Sequence, residues 1–444
     1  SLAGDALSDA DFNVALGVNC LATDTLGSKT TAIGSNALFS QNFTTATDTF
    51  NTAVGFEAGA AMTTGLSNTL IGGLAGDSLT DADNNTAVGT ATLITDSLGS
   101  HSTAVGESAL RRQNFTTATS TFNTAVGSSA GAFVTTGVRN TLIGGGAGDA
   151  LTDADFSVAI GDFALSSDTL GSKSVAIGSR ALFTQNFTTA ADSNNTAVGF
   201  DAGVSLTTGQ NNTFIGATAG DSVTTAANNT FVGAFCGSTT QTGAQNTAMG
   251  MTALNSGTAG NGNSAFGTGA LEACTNELNT AIGQDAGTNV TSGSNNTFLG
   301  VNAGVTGSPG GNFTTGSNVV VIGNQSIGAA HIQVDWTVAS DQRDKTDFTD
   351  LDLGLDFVKA LAPVTYKWDK RSNYGDRTAA DYDLLDQTPD GTHKEDWLDI
   401  GFKAQEVQAL EEAAGYTTAA KKNLTVSTSD DGNQMGIQYS KFIP

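Results

Sequence analysis

Three groups of carboxylates are the residues whose spacing first suggests chemistry in this chain. Asp5, Asp9 and Asp11 return as Asp77, Asp81 and Asp83, and again, at the same interval, as Asp149, Asp153 and Asp155. Acids at i, i+4 and i+6 in a loop could converge on a hard cation such as calcium, which takes several oxygen ligands. The spacing lacks the glycines of a calcium loop, so solvated loop acids are the simpler reading, with calcium as the alternative and no other cofactor suggested. The same acids could also act as a glycosidase pair across chains, although repeated copies argue for structure over a single cleft. Asn42-Phe43-Thr44 and its copies fit a glycosylation pattern that arises by chance in a chain so rich in Asn and Thr. Phe43, Phe115 and Phe187 are expected to be exposed and to meet a glycan or a partner; the alternative is that they plug the gap between subunits. Cys20, Cys236 and Cys274 form no pairing framework and read as small buried residues.

The elements that hold these groups follow from a five-residue phrase, Asn-Thr-Ala-Val-Gly with small variations. Copies close on glycines from Gly17 to Gly300, and of the sixteen intervals twelve equal the step from Gly17 to Gly34, three are longer and one is shorter by a single position. A fixed period of about 17 residues predicts a stack of like turns. Each longer interval carries the same insertion, Gln41-Asn42-Phe43-Thr44-Thr45 and its copies at 113–117 and 185–189, which sets a super-repeat within 1–216. Lengthened turns at regular height predict matching loops on one side, a contact surface in many repeat proteins.

Each phrase reads as a short strand closed by a turn, with Thr and Val on one face and Asn, Ala and Gly on the other. Val, Ile, Phe or Met at the fourth place (Val54, Ile71, Val88, Met249, Phe266) stacks rung upon rung into an apolar ladder. The Ala at the third place lets another backbone approach closely. So thin a coil buries little per chain, and three-fold association is the usual remedy. The variant Ser157-Val158-Ala159-Ile160-Gly161, repeated at 174–178, resembles the repeat of trimeric autotransporter adhesin heads, which are left-handed parallel β-rolls joined in threes. The resemblance covers roughly residues 10–325, with a period longer than the usual one of that family.

Charge divides the chain. Residues 1–330 hold 6 Lys or Arg and 22 Asp or Glu, whereas 331–444 hold 12 and 21, which predicts a β-solenoid shaft over 1–330 and a separate domain over 331–444. The net charge of −25 argues against a nucleic-acid ligand and for solubility in a salty medium. No apolar run of membrane-spanning length appears, and none is expected to insert. Residue 1 is Ser rather than Met, which points to a processed or partial chain with an attachment region upstream.

The last stretch reads as a small α+β module. A strand-like His331-Ile332-Gln333-Val334-Asp335-Trp336 leads to an amphipathic helix near Leu353 to Leu361 that stops at Pro363, a strand from Val364 to Trp368, a second helix after Gly401, and a turn at Asp430-Asp431-Gly432-Asn433 before Met435 to Tyr439. Between the first strand and the helix lie Ser340 and Lys345. A Ser hydroxyl is inert until a base takes its proton, and a desolvated Lys can be that base. Read from the residues alone, Lys345 simply pairs with Asp341 or Asp344.

Five ordered blocks change that reading: Ser340-Asp341-x-Arg343-x-Lys345, Leu353-Gly354-Leu355-Asp356-Phe357, Pro363-Val364-Thr365-Tyr366-Lys367-Trp368, Gly401-Phe402-x-Ala404-Gln405-Glu406-Val407 and Tyr439-x-x-Phe442-Ile443-Pro444. Together they resemble the endosialidase-type intramolecular chaperone domain at the end of phage tail fibres and tailspikes. The resemblance implies a domain that trimerises, guides folding of the preceding β-rich stalk and then cuts itself off. It also implies Ser340 as nucleophile, Lys345 as base, and a scissile bond between Ser340 and Asp341. A Ser attacking its own upstream carbonyl would cut before Ser340, so cleavage after it needs another geometry or the dyad of another chain. In the family a long helix follows the last block, whereas here the block ends at Pro444.

The implied function is a homotrimeric virion tail appendage, extracellular, that attaches to a host cell-surface glycan or protein and is held by other tail proteins. A bacterial trimeric adhesin and a polysaccharide-depolymerising tailspike are the alternatives. Enzymatic action is expected to be at most a single self-cleavage.

Overall fold

The computed structural model describes residues 2–239, 242–255, 260–328, 330–331, 341–351, 353–376, 381–417, 424–429 and 432–442. The fold is a parallel β-solenoid followed by a small domain with strands and helices, the class that the repeat predicts. Its Cα positions group into two compact units, Ser1–Ala265 and Phe266–Pro444.

In the first unit each turn contributes one short strand to the main ladder, from Val14–Leu16 to Thr247–Met249. Like residues stack on like: Thr52 opposite Thr69, Ala53 opposite Leu70, Val54 opposite Ile71. The middle residue of the rung, the third place of the phrase, points inward and is fully buried, whether Ala53, Leu70, Ala87 or Phe214. It therefore lines the core rather than admitting another backbone. Phe214 and Phe231 stack on neighbouring rungs with ring centroids 5.6 Å apart. The fourth-place ladder forms as predicted but faces outward, leaving Ile71, Ile143 and Ile215 at 39%, 37% and 40% exposure. The hydrophobic interior and the apolar ladder are thus opposite faces of one strand, because successive side chains alternate.

Turns are tight because many of their residues sit in the left-handed region, non-glycines such as Asn84 (φ 59°) and Phe122 (φ 51°) included. Such a conformation costs an ordinary residue free energy, which regular rung pairing offsets. At the glycine closing each phrase the demand is absolute. Gly72 has φ 137°, and a Cβ there would lie 2.3 Å from the carbonyl oxygen of Gly89 on the next rung.

Each insertion adds a second short parallel ladder: Gly27–Ser28 with Thr47–Asp48, Gly99–Ser100 with Thr119–Ser120, and Gly171–Ser172 with Ala191–Asp192. The phenylalanines within the insertions are not the exposed contacts that the sequence suggests. Phe43, Phe115 and Phe187 are buried, since the backbone N–H of each is drawn in by an interior carboxylate: Phe43 donates to Asp24 Oδ1 at 3.0 Å.

In the second unit the rungs continue through Thr280–Ile282, Thr297–Leu299 and Val320–Ile322. The last of these is a further copy of the phrase, ending at Gly323, which a lengthened turn hides from a search at the regular period. The strand expected from 331 to 336 falls, beyond His331, outside the described residues.

The Gly72→Ala substitution is expected to lower the thermal midpoint sharply, since neither backbone can yield, whereas Gly73→Ala, with open space around its added Cβ, leaves it within about a degree or two. Parallel melts by circular dichroism compare the two.

Candidate functional site

The acidic groups of the repeats do not converge. Asp81 accepts from Thr64 Oγ1 at 2.6 Å, and Asp83 from the backbone N–H of Leu66 at 2.7 Å. The copies Asp153 and Asp155 repeat this on Thr136 and Val138. Each carboxylate thus caps the preceding turn. Among the described residues no group of three or more His, Cys, Asp or Glu is placed to hold a metal ion. The first acid of a group behaves differently: burial pushes the Asp149 carboxyl above the ordinary carboxylate range, and its Oδ1 has no partner among the described residues. Asp77 and Asp221 are raised by burial as well.

The structure singles out a different set of acids: Asp24, Asp96 and Asp168, all fully buried. Asp96 Oδ2 accepts from Gln113 Nε2 at 2.5 Å, while its Oδ1 takes the N–H groups of Gly99 (3.1 Å) and Phe115 (3.0 Å). Gln113 also donates to Ser102 Oγ, and its carbonyl accepts from Asn123 Nδ2 at 2.9 Å. The node recurs around Asp24 with Gln41 and around Asp168 with Gln185. It fixes the insertion to the shaft, each carboxylate oxygen finding a protein donor where water is excluded. A sequence signal existed, since Asp24 and Gln41, Asp96 and Gln113, and Asp168 and Gln185 keep one spacing through the super-repeats. The three cysteines are free and buried as expected, and burial pushes the Cys236 thiol up to about 12, well away from nucleophilic use.

In the C-terminal region the expected catalytic serine, Ser340, lies outside the described residues. Lys345 is exposed and follows a short 3₁₀ turn, Gln342–Asp344. Asp341, the residue after the expected scissile bond, caps that turn by accepting the N–H of Arg343 at 2.9 Å. Its carboxylate also accepts from the Arg343 guanidinium, with Nη2 to Oδ2 at 2.5 Å, which holds the Asp341 carboxyl below its usual value. The Asp341 partner that the sequence offered to Lys345 is engaged by Arg343.

The remaining blocks build the frame. Helix α1 (Leu355–Ala360) ends before Pro363, and the strand Val364–Tyr366 runs antiparallel to Asp399–Gly401. Helix α2 (Ala404–Ala413) buries Val407 and Glu411. Glu411 accepts the backbone N–H of Thr425 at 2.8 Å and bonds its hydroxyl, tying α2 to the hairpin Val426–Thr428 and Met435–Ile437. Phe402, Tyr439 and Phe442 cluster, and Tyr439 Oη accepts from the Phe402 N–H at 3.1 Å. Asp430, Asp431, Ile443 and Pro444 lie outside the described residues. Helix α1 buries none of its residues: Leu355 is 65% and Val358 58% exposed, and Ile400, on the strand before α2, is 75% exposed.

Residues 340–416 match the family model described as chaperone of endosialidase. This segment is similar to that family. The match begins at Ser340 and takes in four of the five blocks, and the aromatic cluster shows how the fifth packs onto the fourth. Nothing matches among curated proteins, and nothing among solved structures. A β-solenoid carrying a chaperone-of-endosialidase segment fits a protein of the tail-fibre or tailspike type.

Two outcomes follow from these carboxylates. Asp96→Ala leaves one of the two Gln113 amide hydrogens and two buried N–H groups without their acceptor and is expected to cost about 3 kcal/mol in urea unfolding, against less than about 0.5 kcal/mol for exposed Asp153→Ala. Asp149→Asn concerns pH. A carboxyl raised by burial holds its proton in the fold, so its contribution is full below the ordinary carboxylate range and is lost as pH rises through the raised value. Urea midpoints are therefore expected to show Asp149→Asn more stable than the parent at neutral pH, with the difference vanishing near pH 3, below the ordinary Asp value.

Proposed function

We propose that the chain is a homotrimeric bacteriophage tail fibre or related virion appendage for attachment to a host surface, folded by its C-terminal domain. The observation that carries this reading is the chaperone-of-endosialidase match behind a β-solenoid. Two exposed apolar surfaces support the trimer: the outward ladder at Ile71, Ile143 and Ile215, and the open face of α1. Each leaves a row of side chains that water solvates poorly and a second copy would cover. A chaperone is needed because parallel rungs of near-identical residues can slip by one turn and keep most contacts, so a trimeric seed at one end has to set the register.

Maturation is self-cleavage between Ser340 and Asp341. Lys345 takes the proton of the Ser340 hydroxyl, which attacks the carbonyl of residue 340 on a neighbouring chain, and the amine of Asp341 leaves with a proton from the Lys. Water then hydrolyses the ester. Loss of the seed makes the shaft hard to unfold and refold, a kinetic protection.

Intact mass spectrometry of the denatured full chain beside Ser340→Ala tests this. A fragment beginning at Asp341 is expected from the parent alone, and two uncut chains would sink the dyad. Sedimentation is expected to give a trimer for the parent and a smaller species for the double variant Ile143→Glu, Ile215→Glu.

A further inference from the structure

One edge of the first unit carries a column of residues, each just before the buried Asn or Ser that opens a rung, each exposed and in the left-handed region. From Asn84 to Phe156 it reads Asn84, His101, Phe122, Arg139, Phe156 on successive turns. Side chains touch along the whole stretch: Asn84 Nδ2 lies 3.5 Å from His101 Nε2, and the His101 ring lies 5.1 Å from that of Phe122. The Arg139 guanidinium sits between two rings, 6.0 Å from the Phe122 centroid and 5.4 Å from that of Phe156. Phe122 and Phe156 remain 50% and 47% exposed.

Three facts separate this stretch from ordinary surface. The residues 1–330 hold only 6 Lys or Arg, and three of them, Lys29, Arg139 and Lys173, stand in this one column. Lys29 and Lys173 are neutralised by Asp48 and Asp192, whereas Arg139 makes no ion pair among the described residues and keeps its donors for a ligand. The super-repeat also breaks here: the equivalent positions in the copies before and after hold Ser67 and Asn211 in place of Arg139, and Asn84 and Asn228 in place of Phe156. The first copy also places a cation, Lys29, between Phe12 and Phe50 in the column and 5.1 Å from the Phe50 ring, but that cation is engaged by Asp48, whereas Arg139 is not so paired among the described residues.

We propose that His101, Phe122, Arg139 and Phe156 form a binding site for a linear, carboxylate-bearing polysaccharide. The inference rests on the attachment reading and names its ligand class. A guanidinium held between two rings presents its fork to a carboxylate with little ordering left to lose, and the exposed halves of the rings give apolar shoulders to the C–H faces of a sugar. Phe122 and Phe156 are two rungs apart, about 10 Å at the normal spacing of strands, so a chain lying along the column meets both. The site is one residue wide, far short of the roughly 800 Å² per partner of a stable protein interface. The net charge of −25 does not forbid a polyanion, because charges more than about 8 Å away are screened at physiological salt, and the adjacent carboxylate, Asp155, is committed to the Val138 N–H at 2.7 Å.

Calorimetry with the full chain tests the site, using hexamers of galacturonate, hyaluronate and α2,8-linked sialate beside their carboxyl-methylated forms. At least one acidic hexamer is expected to bind, its methylated form not to, and Arg139→Gln and the double variant Phe122→Ala, Phe156→Ala each to weaken binding by roughly tenfold or more. Arg112→Gln, which removes a cation from the Phe133 ring elsewhere on the surface, is expected to bind as the parent does, and all variants to sediment and melt alike. No binding to any acidic hexamer, equal binding of a methylated form, undiminished binding by the variants, or loss of the assembly in Arg139→Gln would each overturn the site. Adsorption of the labelled chain to a panel of bacterial cells separates the two readings. Adsorption that survives Arg139→Gln places attachment elsewhere, and a parent that adsorbs to no cell sinks attachment itself while leaving any sugar binding intact.

Discussion

Each turn of the solenoid hands a buried amide to the next, and the architecture depends on that transfer. Asn51 Oδ1 accepts the backbone N–H of Asn68 at 2.9 Å, and Asn68 Oδ1 accepts that of Asn85 at 2.9 Å. Meanwhile Asn68 Nδ2 donates to the carbonyl of Ala82 at 2.7 Å, in the turn that follows. A buried polar group without a partner costs free energy, so a rung that lacks the Asn, or a turn of another length, has to find its hydrogen bonds elsewhere. Where Ser102 or Ser157 replaces Asn, its N–H is still received by the Asn of the preceding rung, Asn85 and Asn140. Period, register and turn geometry are consequences of that closure.

The insertions show how such a stack admits extra residues without losing register. A lengthened turn needs an anchor, and the buried Asp, Gln and hydroxyl groups provide one by committing their polar atoms to the shaft. The phenylalanine of the insertion then folds over the node. Because the node joins the Asn ladder through Gln41 to Asn51, Gln113 to Asn123 and Gln185 to Asn195, a lengthened turn becomes part of the same hydrogen-bond system rather than a loose loop.

A shaft closed along its length this way satisfies most of its buried polar groups internally and keeps apolar side chains outside. Its inner face is filled by Ala, Leu and Phe, while the outer face of the rungs keeps a partly exposed Val or Ile, and the C-terminal domain keeps α1 uncovered. Both leave apolar side chains open to water. A protein made of near-identical rungs has little to tell one register from another, which is why a folding seed of different composition belongs at its end.

The period, the parallel stacking, the helices after Leu353 and Gly401 and the strand that follows Pro363 were legible in the residues, because local spacing and turn chemistry act over a few positions. The family resemblance was legible for the same reason, five short blocks in order. What tertiary structure decided was facing and partnership. Phe43 looked like a loop-tip aromatic, yet Asp24, in the preceding turn, draws its N–H inward. The Ala of each phrase looked like a place for another backbone to approach closely and instead lines the interior, because a strand so short has only its middle residue to bury. The acids at 77–83 read as solvated loop acids with a cation site as the alternative, and Asp81 and Asp83 instead cap separate turns, while the carboxylates that matter to packing, Asp24, Asp96 and Asp168, stood unremarked in the middle of polar sequence. Hydrogen-bond partners a full turn away are neighbours only once the coil has closed, so no local pattern could assign them.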